Sequence, residues 1–145
     1  MPHAEAHITI ARPVKAVYDF VLKGENNSLW RPSVVDIERV PGKPAVVGAV
    51  FKQGLKGFLG RRIAGDYELV QCVPSKSIKF RVVAGRARPT GIYTFKAAGG
   101  ATTVTFRLNL QTKGFAMLMD PIVNRTMKSE VATLANLKAY LESQG

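Results

Sequence analysis

Cysteine is nearly absent. Cys72 is the one thiol in 145 residues, so the chain can form neither an internal disulfide nor a cysteine-based zinc site, a usage suited to a reducing cytoplasm. No apolar run approaches the roughly 18 residues that a membrane-spanning helix needs. Met1-Pro2-His3 leads straight into strand-like sequence, without a basic segment followed by an apolar one, so no secretory signal and a cytoplasmic location are expected. Acidic side chains are scarce too: 10 Asp and Glu stand against 21 Lys and Arg, a net charge of +11. Such a surplus attracts nucleic acid, anionic lipid or acidic small molecules without choosing among them. The basic residues are spread along the chain with no run of five, the pattern of a solvated surface. No RNA-binding aromatic motif or recognition helix accompanies them, which argues against nucleic acid as a partner.

Catalytic and metal-binding inventories are short. His3 and His7 share one face of a strand with Glu5, but at ~3.3 Å per residue they sit about 13 Å apart, too far to share a metal at bonds of about 2 Å. Neither a metal site nor a cofactor is expected. The glycines of the 54–62 loop lack the trailing Gly-Lys-Ser/Thr of a phosphate loop and do not open a helix. Asp36 with Glu38, and Asp66 with Glu68, alternate with apolar residues that should turn inward, which places these carboxylates on the solvent side rather than facing each other across a pocket. Cys72 has no neighbouring base and reads as packing. The sequence therefore nominates no catalytic residue and leaves open whether the chain is an enzyme.

What the chain does have is pattern. From Gly114 to Ser143, apolar residues recur at Phe115, Met119, Val123, Met127, Val131, Leu134, Leu137 and Leu141, in steps of three or four that form one stripe on a helix. Thirty residues of helix span about 45 Å, a length that needs a sheet to cover the stripe. Asp120-Pro121 predicts a kink or a 3₁₀ turn near the helix start. At the other end of the chain, residues 3–10 alternate, with Ala4, Ala6, Ile8 and Ile10 on one side, as a half-buried strand does. Pro13 and the helical spacing of Val14, Val17, Tyr18 and Val21 then predict a short helix stopped by Gly24. A second short helix follows in 26–33, because Pro32 pushes Arg31 out of the helical region. Strands are predicted near 35–40, 48–56, 61–73, 77–84, 89–97 and 101–112, with Gly99-Gly100 as a hairpin turn. Phe51, Tyr67, Leu69, Ile78, Phe80, Val82, Tyr93 and Phe95 should point inward. At 145 residues one domain spanning 1–145 is expected.

One strand, two short helices, six strands and a long final helix make an α+β order that resembles the helix-grip or START-like superfamily, also called the polyketide cyclase/dehydrase and lipid transport group. The residues carrying the resemblance are Ile8, Ile10, Pro13, Val14, Val17, Tyr18 and Phe20 at the opening, Trp30-Arg31-Pro32, Gly48 with Phe51, Thr103-Val104-Thr105, and the closing helix with Asn136, Leu137, Lys138, Leu141 and Glu142. The resemblance implies a seven-stranded antiparallel curved sheet wrapped around the long helix, with two short helices between strands one and two. It also implies a small hydrophobic or amphipathic ligand, lipid- or polyketide-like, or alternatively a cyclase/dehydrase reaction in the same cavity.

One covered sheet face rich in aromatics, packed on a single helix, leaves room for a mostly apolar pocket. Its expected lining is Trp30, Phe51, Leu55, Tyr67, Phe80, Tyr93, Phe95, Phe115, Met119, Ile122 and Thr126. Tyr67, Tyr93 and Thr126 are the polar handles, since a buried hydroxyl needs a partner. The same residues could instead simply fill a core. Phe58, Arg86 and Arg88 are expected at the pocket mouth. The loop carrying Leu55, Phe58 and Leu59 between Lys52, Lys56, Arg61 and Arg62 is a candidate for contact with an anionic membrane surface.

Overall fold

A computed structural model of the chain describes residues 3–41, 45–85, 88–110 and 121–144. Strand β1 (His3–Ile10) leads into α1 (Val14–Leu22), a 3₁₀ turn (Gly24–Asn26) and α2 (Asn27–Trp30). Seven strands follow: β2 (Val34–Arg39), β3 (Val50–Lys56), β4 (Arg62–Ala64), β5 (Tyr67–Val73), β6 (Ser77–Val82), β7 (Thr90–Ala98) and β8 (Ala101–Asn109). Helices α3 (Pro121–Ala132) and α4 (Leu134–Ser143) complete the described chain. The sheet is antiparallel and curled, in the order β1-β8-β7-β6-β5-β3-β2, with the three-residue β4 attached to β3 beside this path. This is the helix-grip architecture.

Alternation sets the faces. In β8, Val104, Phe106 and Leu108 are buried while Thr103, Thr105 and Arg107 are not. In β1, Ala4 and Ile10 are buried, with Ala6 and Ile8 packed against the same core. Phe51, Tyr67, Leu69, Ile78, Phe80, Tyr93 and Phe95 all point inward as expected, and Val82 is half-buried. Gly99 and Gly100 have φ of 55° and 86° and close the β7–β8 hairpin between Ala98 and Ala101. Positive φ at both central residues is what a two-residue turn matching strand twist requires.

Two elements differ from the sequence reading. The strand expected over 61–73 is divided at Gly65-Asp66 into β4 and β5. Gly65 is buried with the Leu55 side chain against it, so that a Cβ there would lie 2.8 Å from Leu55 Cδ1. The long helix is interrupted at Thr133 (ψ −7°), whose hydroxyl donates to the carbonyl of Glu130. A threonine that bonds back into the preceding turn competes with the helical ladder. Pro121 is the first described residue of α3. The start expected at Gly114 lies outside the described residues.

The helical stripe is buried at Met127, Val131, Leu134, Leu137 and Leu141. The end of α4 is fastened to the turn after β1. Lys138 Nζ donates to Thr9 O at 2.7 Å, the Ala11 amide donates to Glu142 Oε2 at 2.8 Å, and Arg12 Nη2 donates to Glu142 O at 2.8 Å.

Candidate functional site

Five neighbouring strands each contribute one inward aromatic to a continuous ribbon. Phe51 stacks on Tyr67 with ring centroids 5.0 Å apart, Tyr67 meets Phe80 at 5.3 Å, Phe80 meets Tyr93 at 5.9 Å, and Tyr93 stacks on Phe106 at 4.3 Å. The ribbon runs across the sheet because the register sets Phe51 opposite Tyr67 and Tyr93 opposite Phe106. Gly91 is the partner of Phe80, and a Cβ there would lie only 2.2 Å from Phe80 Cζ. A glycine is what allows that ring to lie over the neighbouring strand.

Polar groups border this ribbon. Asn27 Nδ2 donates to Tyr67 Oη at 3.0 Å and to Gln53 Oε1 at 3.2 Å, and Gln53 Nε2 donates to Gly65 O at 3.3 Å. The Gln53 amide donates to Asp66 Oδ1 at 3.1 Å. Arg31 stands in extended backbone (φ −109°, ψ 101°), as the following proline dictates, and this turns its side chain inward. Its Nη2 donates to Glu130 Oε2, and Ser33 Oγ donates to Glu130 Oε1. Arg31 and Glu130 are both buried, and Arg31 and Tyr93 line the same small cavity, where the Arg31 cation works against the effect of burial on the Tyr93 phenol. Among the described residues a small cavity of about 10 Å³ is lined by Val21, Leu22, Asn27, Arg31, Tyr67, Leu69, Ile78, Phe80 and Tyr93. That is room for about one water molecule.

Of the residues expected in a pocket, Tyr67, Phe80 and Tyr93 thus line the cavity. Phe51 stacks behind Tyr67, Trp30 meets Tyr93 edge-on at 6.4 Å, and Phe95 meets Tyr18 edge-on at 5.2 Å. Leu55 is half-buried between Val34 and Ile63 in register, and Thr126 is exposed on α3. Arg88 is exposed and donates its Nε to Gly85 O at 3.0 Å, while Leu59 at the β3–β4 tip is 81% exposed. Phe115, Met119 and Arg86 lie outside the described residues, and Phe58 and Ile122 are described only by their backbone. Asp36 is exposed and paired with Arg62, and Glu68 is paired with Arg81, in keeping with a solvent-side position. Asp66 departs from that expectation, being half-buried under the Gln53 amide.

Sequence reasoning missed Asn27, Gln53 and Glu130, and it treated Arg31 only as part of a motif. A signal existed for two of them. Glu130 lies three residues after Met127 and four before Leu134, inside the apolar stripe, and Gln53 lies between Phe51 and Leu55 on the inward side of β3. A polar residue in an apolar register marks a buried partner elsewhere.

Burial pushes the Tyr93 phenol up to about 12, partly offset by the Arg31 cation, and burial likewise raises Tyr67 far above its usual value. A raised folded-state value stabilises the fold fully below the unfolded pKa of about 10, and that contribution disappears as pH climbs toward the folded value. Neither phenol is therefore expected to ionise in the native protein near pH 10. Absorbance at 295 nm should show both ionising together with alkaline unfolding as pH approaches 12.

Comparisons with known proteins agree with this geometry. The protein TTHA0849 of Thermus thermophilus superimposes with a TM-score of 0.80 at 18% identity over 99% of each chain. A START superfamily protein from Mycobacterium smegmatis does so with a TM-score of 0.78 at 14% identity, again over 99% of each chain. The di-domain ARO/CYC StfQ from the steffimycin biosynthetic pathway matches with a TM-score of 0.79 at 16% identity, over 99% of this chain and 51% of its own. A search of curated protein sequences gives no match. At these identities the three structures establish the fold alone. The profile of the family described as polyketide cyclase / dehydrase and lipid transport matches residues 1–142, and the chain belongs to that family.

Proposed function

We propose that the protein holds a small hydrophobic or amphipathic ligand, lipid- or polyketide-like, between the inner face of the sheet and the C-terminal helix. The observation that carries this reading is the aromatic ribbon, whose two buried hydroxyls, Tyr67 and Tyr93, stand beside Asn27 and Arg31 under the helix. Ligand sites are mostly apolar surfaces with a few placed polar groups. Trp30, Phe51, Leu55, Phe80 and Phe95 would add to the wall, with Phe115, Met119 and Ile122 completing it and Phe58, Arg86 and Arg88 at the mouth. A cavity of about 10 Å³ has to widen to admit such a guest, so binding is accompanied by side-chain movement. Trp30, the only tryptophan and 2% exposed, would report it by fluorescence.

Native mass spectrometry of the purified protein tests the reading. The expected result is a ligand-sized mass above the 15.8 kDa chain that disappears on denaturation. Its absence, together with an unchanged Trp30 spectrum on addition of fatty acids and of polycyclic aromatic ketones, would reject the reading. The alternative, an enzyme of the cyclase/dehydrase type using the same space, is favoured by the Tyr93 phenol lying buried against the Arg31 cation, an arrangement suited to handing a proton to a ligand oxygen. Tyr93→Phe divides the two. Turnover of a true substrate falls by about 100-fold or more if the phenol is an acid catalyst, whereas a carrier keeps its ligand.

A further inference from the structure

Two adjacent buried donors have no acceptor among the described residues: the indole Nε1–H of Trp30 and the guanidinium Nε–H of Arg31. Trp30 is 2% exposed and Arg31 is 7% exposed, so neither donor is covered by bulk solvent. Buried donors are nearly always partnered, and two orphans side by side at a polar corner of an aromatic wall leave hydrogen-bonding capacity open to a guest. The two side chains lie together, with Arg31 Cζ 6.0 Å from the centre of the indole; Trp30 meets Tyr93 edge-on, and Arg31 lines the small cavity together with Tyr93.

The charge of this corner constrains what can sit there. The Arg31 cation is already matched by Glu130, which Ser33 also holds. A ligand carboxylate would bring a second anion beside Glu130 with no further cation among the described residues of the corner, and an unmatched buried charge is strongly unfavourable. A neutral acceptor such as a ketone, ester or amide carbonyl satisfies both donors without disturbing the pair. We propose, resting on the ligand-binding reading above, that Trp30 and Arg31 form the acceptor-recognition corner of the site, so that the ligand is an apolar molecule carrying an uncharged carbonyl oxygen.

Three probes of one shape test this by calorimetry at pH 7: 2-acetylnaphthalene with a neutral carbonyl, 2-ethylnaphthalene with none, and 2-naphthoate with a carboxylate. The wild-type protein is expected to prefer the ketone to the hydrocarbon roughly tenfold, the effect of about one net hydrogen bond to a charged or buried donor, and to bind naphthoate weakest. Trp30→Phe keeps an aromatic ring without the N–H, and Arg31→Lys keeps the cation for Glu130 without the Nε donor. Each is expected to bring the ratio of ketone to 2-ethylnaphthalene affinity down toward one, whatever the change in absolute affinity, and a cooperative urea transition followed by circular dichroism shows that the variant is folded.

Equal affinity of the wild type for ketone and hydrocarbon would overturn the corner while leaving ligand binding standing. Tightest binding of naphthoate would overturn the neutral-acceptor assignment. No binding of any of the three would overturn both the corner and the reading on which it rests.

Discussion

Glu130→Ala is expected to lower unfolding free energy by about 3–5 kcal/mol, because it leaves the Arg31 guanidinium buried without its counter-charge. Arg31 and Glu130 have side chains only 8% and 9% exposed, and Glu130 is also the acceptor for Ser33. The proximity of Glu130 raises the Arg31 pKa against the opposing effect of burial, so the guanidinium cannot escape the cost by losing its proton. Urea denaturation followed by circular dichroism measures the loss, and the thermal midpoint should fall by roughly 10 °C for a domain of this size. The double substitution Arg31→Met/Glu130→Leu removes both charges together. It should recover most of the loss, since a well-packed apolar pair is often as stable as the ion pair it replaces. If the single and double variants are equally destabilised, the effect is one of packing rather than charge. If Glu130→Ala unfolds at the wild-type urea midpoint, the pair does not hold the helix to the loop between α2 and β2.

Phe106→Ala should be comparably costly, about 3–5 kcal/mol, the range for truncating a buried aromatic. Phe106 is fully buried, stacks on Tyr93 with rings 22° apart, and meets Phe80 at 6.3 Å. Its loss leaves a void behind the strand position that supports Tyr93, so the phenol can sink away from Arg31. Two measurements should therefore change together: the urea midpoint falls with an unchanged slope, and Tyr93 ionises at a different alkaline pH from that of the wild type. Phe106→Leu fills most of the void and should cost about 1–2 kcal/mol. A Phe106→Ala protein as stable as wild type would mean that the aromatic ribbon can repack freely around the loss.

Much of this architecture was legible because periodicity alone determines it. Alternation in β1 and β8 and the three-or-four spacing of Met127, Val131, Leu134, Leu137 and Leu141 reflect which atoms face water, and that constraint is written residue by residue. The division of the long strand at Gly65-Asp66 and the interruption at Thr133 were not legible. Each follows from a local bond or close contact, Leu55 against Gly65 and the Thr133 hydroxyl to the Glu130 carbonyl, that periodicity does not encode. The aromatic members of the candidate site, Tyr67, Phe80 and Tyr93, came from parity on three strands. Its polar half did not, because Arg31 and Glu130 are 99 residues apart and each by itself reads as a surface charge. Only the fold shows that the two charges neutralise one another inside.

The same long-range closure bears on how the chain is made. β1 at residues 3–10 pairs with β8 at residues 101–109, and the Ala11 amide meets Glu142, 131 residues away. During translation the first strand must wait for about a hundred further residues before its sheet partner leaves the ribosome. Until α3 and α4 have followed, Phe80, Tyr93 and Phe106 form an uncovered greasy trough on the nascent polypeptide. A chaperone that shields such surfaces should engage ribosome-bound chains arrested before residue 121 and release them once α4 has emerged.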